Sequence, residues 1–228
     1  MHGMKIRQCR ALFAVLALVC ATAPAQIAPR PQEMAAWAPI HRAAHSGNLS
    51  ALRAALKAGA YVDARDAFGR TPLHVATFAR RADAIRLLVA AGADTAALDA
   101  ERYDAVTIAA VADDEATLGL LLQLGASAKR VTSRWDGTAL IAAAHLGHDG
   151  VVRQLIQAGA PLDHVNNLHW TALIESIVLG DGGPRHLATL RALVAAGADR
   201  SITDREGRTP LALARERHFT AMVDALRE

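Results

Sequence analysis

Apolar residues along this chain recur at helical spacing in short runs, and five of these runs close on a Gly-Ala pair. Between Ala82 and Ala91, Ile85, Leu88 and Val89 share one helical face, and Gly92 follows. A helix stop of this kind commonly needs a left-handed backbone, which glycine adopts without strain. A shorter helix precedes it, Leu73 to Ala79, with Ala76 small enough for a close helix approach. Its start is marked as well. Thr71 can cap the helix through its side-chain oxygen, and Pro72 sits at the first helical position, where no amide hydrogen is required. The polar, turn-rich stretch that begins at Asp94 predicts a projecting hairpin.

This unit repeats. Gly-Ala pairs fall at Gly59-Ala60, Gly92-Ala93, Gly125-Ala126, Gly159-Ala160 and Gly197-Ala198, in steps of 33, 33, 34 and 38 residues. A second marker keeps the same phase: Thr71-Pro72-Leu73-His74, Thr138-Ala139-Leu140, Thr171-Ala172-Leu173 and Thr209-Pro210-Leu211. Asp104-Ala105-Val106 stands in its place in the third unit and Ile40-His41 in the first. A single unit of this kind cannot bury its apolar face alone, whereas stacked units can.

The phrase Thr71-Pro72-Leu73-His74-Val75-Ala76 resembles the signature of the ankyrin repeat family. The resemblance implies an all-α solenoid of about six helix-turn-helix units with projecting β-hairpin-like loops. The units run over 37–69, 70–102, 103–136, 137–169, 170–207 and 208–228, the first and last acting as caps. Three departures stand out. The third unit opens with Asp104 and not Thr-Pro, so its inner helix is expected to be displaced. The first lacks the leading Thr-Pro and is expected to start irregularly after Pro39. The fifth carries an insertion, Leu179-Gly180-Asp181-Gly182-Gly183-Pro184, read as a mobile inserted turn.

The beginning of the chain follows a different logic. Lys5, Arg7 and Arg10 precede an apolar run from Ala11 to Ala21, and Ala23-Pro24-Ala25 offers a small-x-small cleavage site. That order describes a secretory signal peptide over 1–25, too short in its apolar part to span a bilayer. A lipoprotein reading through Cys20 ranks lower because the branched Val19 precedes the thiol. Residues 26–36, with Pro29 and Pro31, read as an extended lead-in. The resulting expectation is a periplasmic or secreted bacterial protein, not inserted in the membrane after cleavage.

Cleavage changes the composition. Both cysteines, Cys9 and Cys20, lie in the signal, so the mature chain has no thiol. Of 25 Lys+Arg, the three in the signal leave 22, equal to the 22 Asp+Glu. A neutral domain gives no support to a nucleic-acid partner.

Candidate chemistry is sparse. His145 and His148 invite a metal reading, but they lack a nearby third ligand. His41 and His74 fall at the family's helix-start histidine, which the resemblance assigns to backbone bonds between repeats. Asp113-Asp114-Glu115 lacks the alternating ligands of a calcium loop. The glycine-rich 180–183 has no following Lys-Ser/Thr for a phosphate loop. No hydrolase or metalloprotease motif occurs. The expectation is a non-catalytic chain without cofactor or metal.

What remains is a surface. The resemblance leaves the hairpin tips, the residue before each Thr, and the exposed end of each inner helix free for a partner. At these positions stand Phe68, Arg70, Phe78, Glu101, Tyr103, Arg134, Trp135, Leu168, Trp170, Arg205 and Arg208. Aromatics on such a ladder suit interface anchors. The alternative is that they finish the stack. A basic stretch (Arg65, Arg70, Arg80, Arg81, Arg86) adjoins an acidic one (Asp99, Glu101, Asp104, Asp113, Asp114, Glu115), either to orient a partner or to solvate neighbouring units. The chain is thus expected to be a monomeric binder of a protein partner of unknown identity. The other readings are a structural or protective subunit of an envelope enzyme, a secreted effector, and a metal-binding protein using His145 and His148.

Overall fold

A computed structural model describes residues 29–228. The signal segment and residues 26–28 lie outside that range. The described residues build a short helix, α1 (Pro31–Ala35), and then six helix pairs. The inner helices are α2 (Pro39–Ser46), α4 (Pro72–Phe78), α6 (Ala105–Val111), α8 (Ala139–Leu146), α10 (Ala172–Val178) and α12 (Pro210–Glu216). The outer helices are α3 (Leu49–Lys57), α5 (Ala82–Ala90), α7 (Glu115–Gln123), α9 (Asp149–Gln157), α11 (Pro184–Ala195) and α13 (Thr220–Ala225). Each inner helix packs on the next, and one hydrophobic core runs from Ile40 to Leu226.

Both members of the Gly-Ala pair have a structural task. Gly59, Gly92, Gly125, Gly159 and Gly197 all hold positive φ, between 76° and 91°. In the second unit the Gly92 N–H donates to the Val89 carbonyl and the Ala93 N–H to the Leu88 carbonyl, both at 3.0 Å. This double bond pattern satisfies carbonyls orphaned at the helix end. The alanine then turns inward: Ala93, Ala126, Ala160 and Ala198 are buried.

Packing follows the same period. Leu88, Leu121, Leu155 and Leu193 form a fully buried column through the outer helices, while Leu73, Val106, Leu140 and Leu173 form another through the inner ones. Each such side chain contributes roughly 1.5–3 kcal/mol. Ala43, Ala76, Ala109, Ala143, Ser176 and Ala214 stand where inner helices meet, and small side chains permit that approach.

The hairpins stack through their backbones. Ala100 N–H donates to the Phe68 carbonyl (2.9 Å), Ser133 N–H to Arg102 (2.9 Å) and Asn167 N–H to Trp135 (3.0 Å). One hairpin contains a short antiparallel ladder, β1 (Val131–Thr132) with β2 (Gly137–Thr138).

Four expectations need correction. The third inner helix is in register: Asp104 replaces threonine as the cap, its Oδ1 accepting the Thr107 N–H at 2.8 Å. The first inner helix starts regularly, with Pro39 at its first position behind Ala38. The lead-in is not extended throughout, because Pro31–Ala35 forms a helical turn in which Glu33 bonds back to Arg30. The insertion is anchored in place. Arg217 donates to the carbonyls of Val178 (2.6 Å) and Gly180 (3.0 Å), and His186 bridges Asp181 and the His145 carbonyl. Part of the added length goes into α11, with 12 residues where α5, α7 and α9 each have 9.

Candidate functional site: the hairpin and inner-helix face

Each hairpin is shaped by one polar side chain that accepts two backbone N–H groups, two and four residues further on. Asp66 takes Phe68 and Arg70, and Asp99 takes Glu101 and Tyr103. Ser133 takes Trp135 and Gly137, Asn166 takes Leu168 and Trp170, and Asp204 takes Glu206 and Arg208. These brackets aim the tip residues. Sequence reasoning passed over them, although 66, 99, 133, 166 and 204 keep the repeat phase; the mixture of Asp, Ser and Asn hides the pattern.

The histidines at helix starts lock the hairpins to the helices. His74 Nδ1 accepts the Thr71 N–H at 3.0 Å. Its Nε2 lies 3.0 Å from the Ala97 carbonyl and 3.1 Å from that of Tyr103. The acceptor role at Nδ1 places the hydrogen on Nε2. Burial pushes this imidazole down to about 4, against the opposing pull of the two carbonyls. His41 Nε2 contacts the Arg70 carbonyl at 3.1 Å in the same way.

The selected residues divide into two hollows. Phe68, Arg70, Phe78, Glu101 and Tyr103 border the first, of about 190 Å³, which Arg30 and the α1 residue Glu33 flank. Tyr103, Trp135 and Leu168 border the second, of about 160 Å³. Tyr103 is shared between them, and burial, then Glu101 and Asp99, raise its phenol above the usual range. Phe68 remains 39% exposed, with the Arg70 guanidinium 4.7 Å above its ring.

Several of the selected residues are engaged within the stack. Arg70 pairs with Asp66 (2.7 Å) and Glu33 (3.1 Å). Burial would raise Asp66, but bonds from Arg70, the backbone and Trp37 hold it below the usual carboxylate range. Arg134 pairs with Glu101, Arg205 reaches the Asn167 carbonyl, and Arg208 engages Asp204, Glu206 and Glu216. Trp170 is not on the face at all. It is only 7% exposed and belongs to the core.

The charged stretches are largely consumed between neighbours. Arg65 donates to the Gly69 and Leu98 carbonyls, Arg80 lies 3.4 Å from Asp114, and Arg81 donates to the His45 carbonyl. Asp113 pairs with Arg185 at 2.7 Å. His148 Nδ1 lies 2.9 Å from the Ala110 carbonyl, while His145 Nδ1 lies 3.3 Å from Glu175. Among the described residues, no three His, Cys, Asp or Glu side chains are grouped to hold a metal ion. No helix there is long and apolar enough to cross a membrane.

A stack of helix pairs with bracketed hairpins and two hollows lined by aromatic side chains defines a helical-repeat scaffold. Comparison with known proteins gives the family. Models described as "Ankyrin repeats (many copies)" and "Ankyrin repeats (3 copies)" match residues 40–89 and 106–199. An ankyrin repeat domain from Acinetobacter baumannii AYE is 39% identical, with a TM-score of 0.78 over 83% of this chain and 96% of that one. The ankyrin repeat protein EF0377 is 27% identical, with a TM-score of 0.74 and the same coverage. The ankyrin repeat protein YahD of Escherichia coli (strain K12) is 38% identical over 95 residues, or 41% of this chain. That match spans 47% of YahD, under half its length. The chain belongs to the ankyrin repeat family. Ankyrin repeats are generally protein–protein interaction modules and typically non-enzymatic.

Proposed function

We propose that this chain is an exported, non-catalytic binding protein whose hairpin tips and inner-helix face hold a protein partner. One observation carries the reading: Phe68, Phe78, Tyr103, Trp135 and Leu168 line two hollows on one face without belonging to the buried core. The columns of buried leucines already fill the stack, so these side chains are available as anchors. Export rests on the basic, apolar and small-residue order of the first 25 residues.

The test is to express the chain with its own signal, recover it from the periplasm and crosslink it. A Phe68→Ala/Tyr103→Ala/Trp135→Ala variant with native helicity is compared with wild type. Loss of a discrete partner supports the reading. An unchanged partner set, or absence of the protein from the periplasm, overturns the corresponding part.

A further inference from the structure

The second hollow contains a carboxylate that the repeat does not call for. At the position of Glu175 the second, third, fourth and sixth units carry Val75, Ile108, Ala142 and Leu213, all apolar, and the first carries Arg42. Glu175 projects from α10 with a side chain only 6% exposed, yet it lines the hollow together with Tyr103, Trp135 and Leu168. Burying a carboxylate is costly unless its charge is matched.

Neighbouring units show how this fold matches such a charge. In the second, Asp66 receives Arg70 Nε at 2.7 Å; in the last, Asp204 receives Arg208 Nε at 2.8 Å. Both arginines stand just before the helix cap. The fifth unit has Trp170 there, turned into the core, and Asn166 in place of the bracket aspartate. Its carboxylate comes from Glu175 and its arginine is missing.

Two internal groups reach Glu175. Asn166 donates to Oε1 at 2.8 Å, and His145 Nδ1 lies 3.3 Å from Oε2. An ionised carboxylate accepts about four hydrogen bonds, so capacity remains on both oxygens. Among the described residues, no lysine or arginine lines this hollow, and Arg134 is held by Glu101. The walls include Tyr103 and Trp135, and aromatic rings of these types attract cations. A volume of about 160 Å³ is well below that of a typical small-molecule pocket and suits one long side chain.

We propose that this hollow receives a basic side chain, arginine or lysine, presented by the protein partner, which takes the place that Arg70 and Arg208 occupy in their own units. The proposal rests on the binding function above and specifies the chemistry of its partner.

The test uses the mature chain and acetyl-Gly-Arg-Gly-amide or acetyl-Gly-Lys-Gly-amide, with citrulline and norleucine peptides as neutral controls. The Trp135 indole and Gly137 amide signals are followed by NMR. Saturable shifts are expected with the basic peptides, weakened about tenfold or more by the neutral replacements and by Glu175→Gln. Trp135→Leu, which leaves the carboxylate in place, should also weaken binding and covers the case in which Glu175→Gln fails to fold. Equal binding of arginine and citrulline peptides, unchanged binding by Glu175→Gln, or no shift at all would overturn the cation pocket. The periplasmic crosslinking experiment separates the two readings. If Glu175→Gln keeps a partner that the triple aromatic variant loses, the binding face stands and the pocket assignment does not.

Discussion

Asn166 donates its side-chain amide to Glu175 Oε1 at 2.8 Å, joining a hairpin bracket to an inner helix between two buried side chains. The neutral amide is essential to that contact. Asn166→Asp would keep the bracket but replace the donor with a second carboxylate, and no arginine of the fifth unit stands ready to neutralise it. A loss of about 1–3 kcal/mol is expected, read from the urea midpoint at pH 7. No loss would mean that the Asn166–Glu175 bond is dispensable.

His74 makes stability pH-dependent. Its folded pKa of about 4 lies below the ordinary 6.5, so the unfolded chain takes up its proton first as pH falls. The contribution is complete above about 6.5, declines between 6.5 and 4, and amounts to roughly 3 kcal/mol at most. Protonation also removes the acceptor for the Thr71 N–H. Melting temperature should therefore drop over this window in wild type and more shallowly in His74→Gln. Parallel curves would show that His74 does not govern it.

Much of this architecture was legible because the backbone imposes it locally. A helix end that needs positive φ selects glycine, and a buried cap selects threonine, so both recur at a fixed step. Asp104 was harder to interpret, since a different residue satisfies the same cap. The site was less visible. Trp170 and Trp135 are the same residue type, yet the first, directly before the Thr171 cap, is buried in the core while the second, at a hairpin tip, borders a hollow. Glu175 stands where four other units are apolar and the first has Arg42, and its significance depends on which side chains surround it in space.

The capping role of Asp104 can be measured directly. Asp104→Ala should lose about 1 kcal/mol or slightly more, whereas Asp104→Thr, which restores the cap used by other units, should stay close to wild type. Burial raises the Asp104 carboxyl above its usual range, so threonine also removes a desolvated acid. Thermal unfolding of both variants checks the order; a threonine variant as weak as alanine contradicts it.

Gly180 faces a steric limit. A Cβ there would overlap the Ser176 carbonyl oxygen and press on the His186 ring at 2.8 Å. Gly180→Ala should cost about 1–3 kcal/mol through displacement of the insertion. The His186–His145 carbonyl contact should weaken with it, visible as shifted His186 ring signals. Unchanged stability would mean that the turn relaxes without strain.

The hairpins are joined from tip to tip by peptide groups: Phe68 to Ala100, Arg102 to Ser133, Trp135 to Asn167. Since every residue but proline can offer those groups, this part of the array's cohesion does not depend on the identity of a tip side chain. A lineage can rewrite what these tips contact, one substitution at a time, while the scaffold beneath keeps its shape. Trp170 marks where that freedom ends, one step inward from the tip.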